Sequence, residues 1–119
     1  MNDVSEKLST IRRIGFLTLN EYTMIALSSA IEVLRMANRL SGQTHYQWTI
    51  LSLDGKPVAA SNGLSYADVS TYDAGGDFDL VLVCGGTNIQ KFVNEKVVNL
   101  LRRMAALCSA VFAPGPTRS

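Results

Sequence analysis

Long hydrophobic runs are missing from this chain of 119 residues. Nothing approaches the roughly 18 consecutive apolar residues that a bilayer-spanning helix needs. Residues 1–10 are polar and of mixed charge, unlike a secretory leader. The chain is therefore expected in the cytoplasm, away from membranes. Basic runs are missing too: the net charge is +1, and no stripe of Lys and Arg alternates with aromatics. Nucleic-acid binding by this segment is not expected. Histidine and cysteine are scarce, and His45, Cys84 and Cys108 cannot build a typical zinc site. No metal or cofactor is implied, and no disulfide is expected in a reducing compartment.

What is present suits a single globular domain, 47% hydrophobic and 18% charged. Its most informative stretch is DLVLVCGGTN, residues 79–88. The run Leu80 to Val83 has no polar partner within it, as suits a strand buried on both faces of a parallel sheet. It ends in Cys84-Gly85-Gly86 and leads into a helical pattern. Ligands of open α/β sheets bind beyond the carboxyl ends of the strands. Glycines there let backbone N–H groups approach a ligand closely. A tight strand-to-helix turn without a ligand explains the glycines equally well.

The rest of the chain supplies partners for that strand. Residues 11–19 (IRRIGFLTL) read as a first strand, and Thr23 as the N-cap of a helix. Across residues 24–40, Met24, Leu27, Ile31 and Leu34 recur at helical spacing, widened by Ala30 and Ala37, until Ser41-Gly42 stops the helix. Residues 46–53 (YQWTILSL) alternate as a second strand. Asp54 to Pro57 signal a turn, and residues 58–61 a short returning strand. Residues 62–78 read as loop, 79–84 as the buried strand, and 89–104 as a second helix. The order predicts an α/β fold with a doubly wound, mostly parallel sheet. The tail AALCSAVFAPGPTRS has no clear period. It is expected to supply no further strand, leaving the sheet incomplete at the C-terminus.

Together, RIGFLTLNEYTMIALSSAIEVLRMANRLSG (13–42), YQWTILSLDGKPVAASNG (46–63) and FDLVLVCGG (78–86) resemble the ThiJ/PfpI-type, class I glutamine amidotransferase-like domain. The similarity is specifically to the N-terminal half of GlxA-family regulators in the AraC class. It implies a flavodoxin-like fold used as a ligand sensor, with small nitrogenous metabolites such as amino acids or quaternary amines as effectors. DNA would be read only through a C-terminal helix-turn-helix module that these residues do not include. The domains are expected as a disordered leader over 1–10, a partial sensor over 11–104 and an aberrant tail over 105–119. A homodimer is also open.

The superfamily's site joins a helix glutamate, a glycine pair after a strand, and a residue on a nucleophile elbow. The resemblance carries the glutamate onto Glu32 and the glycines onto Gly85 and Gly86, while the elbow has no intact counterpart. Tyr22 and Thr87 flank the strand ends and join the expected ligand-binding set. On the residues alone, Glu32 reads as an i,i+3 ion pair with Arg35 on a solvated face. With the resemblance it becomes a pocket carboxylate. Cys84 reads as an inert strand thiol, Cys108 as lying off any elbow, and His45 as surface polar. Ser28-Ser29 has no base signature, and Trp48 reads as core.

The tail has a further reading. With permitted codons for residues 106–119, reading from the third base of the Ala106 codon gives AVLGGVCTGAYTL, which resembles the family's missing strand and elbow. A frameshift near residue 105 is therefore expected. The fragment should then have little ligand affinity, no sequence-specific DNA binding and no hydrolase activity. The alternative is a small ThiJ/PfpI-type enzyme using Cys84 or Cys108 with Glu32. A free-standing dimerisation module is a third reading.

Overall fold

In the computed structural model the described residues are 11–85, 95–107 and 110–112. Strand β1 (Arg12–Thr18) leads into α1 (Met24–Ser41), β2 (Tyr46–Leu51), a one-turn α2 (Tyr72–Gly75), β3 (Leu80–Cys84), α3 (Glu95–Leu107) and β4 (Ala110–Phe112). The four strands form one sheet in the order β2-β1-β3-β4, and every pairing is parallel. Register puts Gly15 beside Thr49 on one side and Val81 on the other.

Side-chain alternation splits the core into two layers, one on each face of the sheet. Ile14 and Phe16 of β1 point to the α1 side, where they pack with Tyr22, Leu27, Ile50 and Ala60. Leu17 points to the other side, with Leu19, Leu51, Phe78, Val81, Val83, Val97 and Leu100. The unbroken apolar run of β3 follows from this arrangement: Val81 and Val83 serve one layer, and Leu80, Leu82 and Cys84 border the other. Gly15 has a specific reason. A Cβ there would lie 2.8 Å from Leu51 Cδ1 and 3.3 Å from the Phe78 ring, so glycine lets both side chains reach the sheet.

Helix α1 ends as its sequence suggests. Gly42 takes a left-handed φ of 72°, and its N–H donates to Asn38 and Arg39 carbonyls. Asn38 then ties the helix to the next strand: Oδ1 accepts from the His45 and Tyr46 N–H groups, and Nδ2 donates to the Tyr46 carbonyl. Thr23 is the N-cap residue, although its side chain makes no capping hydrogen bond.

Three expectations change. Residues 58–61 form no strand. They fold over the β1–α1 turn instead, where Ala59 O accepts from Glu21 N–H and Ser61 N–H donates to Tyr22 O. Strand β2 ends at Leu51, which bridges to Ser70, and Ser52 N–H donates to the Ser70 carbonyl. The tail supplies a short strand after all, since Ala110–Phe112 lies parallel to Leu80–Leu82 and covers that part of the β3 edge. Residues 105–107 continue α3. The expected leader, the helix start at 89–94, Cys108 and the end of the tail lie outside the described residues.

Candidate functional site

Because all strands run parallel, their carboxyl ends share one edge of the sheet. Strand β1 sends its chain toward β2 on one side and has β3 on the other, so the connections diverge between β1 and β3. That divergence is where open α/β sheets open a crevice. Here it is bounded by Thr18 and Leu19 against Cys84, whose carbonyl accepts from Leu19 N–H at 2.9 Å. Thr18 is buried, and its hydroxyl is committed to the Leu51 carbonyl at 2.7 Å.

The turn above this edge is constrained. Glu21 holds a left-handed φ of 60°, which is uncommon for a residue with a side chain and is found at functional turns. The segment after β2 clamps this turn through the two backbone bonds to Glu21 and Tyr22. The result is an almost fully buried Tyr22 ring beside Tyr66 and Cys84. Burial first, then the neighbouring Tyr66 and Cys84 groups, raise the Tyr22 phenol above its ordinary value, while a backbone hydrogen bond at Tyr66 opposes them. Tyr66 OH and Ser28 Oγ lie 2.6 Å apart. Burial also pushes the Cys84 thiol up to about 11, and among the described residues Cys84 Sγ makes a long contact to the Leu82 carbonyl, 3.8 Å. Buried Tyr22 thus links the Tyr66–Ser28 hydroxyl pair on one side to a desolvated Cys84 thiol on the other.

Of the residues singled out from sequence, Tyr22 lies beside Cys84, and Gly85 directly follows Cys84 in the chain. Gly86 and Thr87 lie outside the described residues. Glu32 is not brought to them. Its carboxylate takes two hydrogen bonds from the Arg35 guanidinium, at 2.7 and 3.0 Å, with its side chain 57% exposed. The bond from Arg35 lowers its pKa. The physical reason is helix geometry: Glu32 lies two turns into α1, about 12 Å along the axis from its start, and well around from inward-facing Leu27. Sequence reading missed Tyr66 and Ser28. The one signal for Tyr66 was a lone aromatic in an otherwise small and polar stretch.

A second concavity, of about 200 Å³, lies beyond β2 on the opposite face, lined in part by Leu53, Thr71, Lys96 and Asn99. Among the described residues, neither Tyr22, Glu32 nor Gly85 is part of that lining. Among the described residues there is no cluster of three His, Cys, Asp or Glu side chains to hold a metal. Nor is any described helix long and apolar enough to cross a membrane.

No family model matches the chain. It is 45% identical over 107 residues to the HTH-type transcriptional regulator GbdR of Pseudomonas aeruginosa, a match covering 84% of this chain and 29% of that protein. It is 38% identical over 98 residues to the HTH-type transcriptional regulator GlxA of Rhizobium meliloti, covering 82% of this chain and 30% of the relative. Among solved structures it resembles an AraC family transcriptional regulator from Pseudomonas putida, with a TM-score of 0.69 and 30% identity over 83% of this chain and 54% of that one. The chain thus spans about three tenths of the length of these curated relatives.

Proposed function

We propose that the chain is a non-catalytic, effector-sensing portion of a GlxA-type transcriptional regulator within the AraC class, built on a ThiJ/PfpI-like fold, a reading supported by its similarity to named regulators of that kind. Small nitrogenous metabolites, amino acids or quaternary amines, are the effector class. They would sit beyond the β1 and β3 ends, against Tyr22, Gly85, Gly86 and Thr87. Tyrosine faces and hydroxyls suit a cationic or zwitterionic nitrogen, through cation–π attraction and hydrogen bonds. Glu32 is left out of the set because its carboxylate is held by Arg35 in solvent. DNA would be contacted by a module outside these residues, and the regulator would work in the cytoplasm.

The non-catalytic reading is supported by its similarity to relatives named as transcriptional regulators, and burial of the Cys84 thiol at the strand end, which pushes it up to about 11, points the same way. A nucleophilic cysteine needs the opposite, a nearby cation or helix N-terminus that favours the thiolate. Purified chain should hydrolyse no peptide and convert no glyoxal or glycated substrate. Turnover that disappears in Cys84→Ala would establish the enzyme reading instead. The sensing reading is tested by grafting residues 11–85 into the matching segment of the 45%-identical regulator. A graft that folds and occupies its operator is expected to respond to an amine effector. One that binds DNA but never responds would refute it.

A further inference from the structure

A cationic effector needs a counter-charge, and the fold leaves few carboxylates placed to supply one. Of the ten acidic residues, Asp3 and Glu6 lie outside the described residues. Glu32 is held by Arg35, and Asp54 accepts from the Lys56 N–H in its own turn. Asp79 accepts from the Arg13 N–H at the opposite, amino-terminal edge of the sheet, and Asp77 precedes it there. Asp73 and Glu95 belong to α2 and α3, on the face away from α1. Asp68 leads into Ser70, which bridges to the outer edge of β2. Glu21 is left. It is exposed on the β1–α1 turn, between Leu19, whose N–H bonds the Cys84 carbonyl, and buried Tyr22. Among the described residues, none hydrogen-bonds or ion-pairs with its carboxylate.

The backbone supplies a second, independent observation. Glu21 holds a left-handed φ of 60°, which is costly for a residue with a Cβ and free for glycine. The Ala59 carbonyl fixes it there by accepting the Glu21 N–H. Glycine would serve the bare turn with less strain, so the strain is tolerated for what the side chain contacts. The clamping segment also carries Leu64, 63% exposed. A methylated nitrogen packs its methyl groups on apolar surface of that kind while its charge faces a carboxylate. We propose that the Glu21 carboxylate is the counter-charge for the effector's nitrogen and that this nitrogen is a methylated ammonium. The assignment deepens the effector-sensing reading and rests on it.

The test titrates the complete 119-residue chain with choline and with dimethylbutanol, its uncharged isostere with carbon in place of nitrogen, followed by backbone amide shifts. Choline should move the Glu21 and Tyr22 signals, and the isostere should bind about fivefold more weakly or worse. Added salt should weaken choline alone. Glu21→Gln should bind choline about fivefold more weakly and lose the salt dependence. Glu21→Gly should lose the same affinity while its folding constant in urea rises about threefold, so the lost binding does not come from lost structure. Equal choline binding by the wild type and Glu21→Gln would overturn the assignment and leave the sensing reading standing. No choline shift at this edge in the wild type would overturn it together with the quaternary-amine part of that reading. Choline and its isostere binding alike, or a Glu21→Gly chain less stable than the wild type, would each overturn the role of the carboxylate.

Discussion

Titrating Cys84 tests both its burial and the non-catalytic reading of the strand end. Desolvation moves the thiol from 9.0 to about 11. At neutral pH an ordinary thiol is about 1% ionised, and one at 11 is nearer 0.01%. Iodoacetamide should therefore label Cys84 roughly 100-fold more slowly than an exposed cysteine on thiolate content alone, with burial slowing it further. The same shift couples to folding. The native thiol keeps its proton up to about 11 while the unfolded one releases it near 9, so the native state binds more protons in between. Its stability contribution is complete below pH 9 and falls as pH rises through that window. At pH 10.5 the loss is about 2 kcal/mol, from 1.36 kcal/mol per pKa unit. Residue-resolved mass spectrometry reads the labelling. Urea unfolding at pH 8 and 10.5, with Cys84→Ala as the control, reads the linkage. Fast labelling of Cys84 at pH 7, or a pH dependence identical in Cys84→Ala, would refute the reasoning.

Asn38→Ala removes three hydrogen bonds between α1 and the start of β2. It should cost about 2–4 kcal/mol in urea unfolding, with Asn38→Asp, which keeps both acceptor contacts, costing less. Gly15→Ala forces a methyl to 2.8 Å from Leu51 Cδ1 and should destabilise by about 1–3 kcal/mol; a stabilised variant would mean the two core layers are looser than described. Glu32→Gln breaks only an exposed ion pair, so the thermal midpoint should not move measurably. A clear loss of stability there would place the carboxylate in a buried network.

The secondary structure was legible where chemistry acts locally. The inward stripe from Met24 to Leu34, the stop at Gly42 and the doubly buried run of β3 were readable because periodicity, left-handed glycine and continuous apolarity each demand one local geometry. Residues 58–61 were misread because a turn signal followed by β-formers fits a hairpin, but Ala59 and Ser61 bond to Glu21 and Tyr22, 38 and 39 residues earlier in the sequence. The β4 strand was missed because three small and apolar residues have no period of their own and gain meaning only beside Leu80–Leu82.

The site was less legible. Tyr22 and Gly85 lie at adjacent strand ends, which the sequence could place. Tyr66 and Ser28 come together only because the segment after β2 folds back over α1. Glu32 shows the limit best: its sequence neighbours allow either a pocket carboxylate or a solvated ion pair, and helix phase relative to the sheet chose the second.

By itself, then, the sequence determined an α/β chain with a buried strand ending in glycines and a helix with apolar residues on two sides. The strand order β2-β1-β3-β4, the folding of residues 58–61 over the β1–α1 turn and the desolvation of Cys84 were decided by tertiary structure alone. Each depends on which distant surfaces exclude water from one another, and burial of that kind is a property of the assembled layers rather than of any local run of residues.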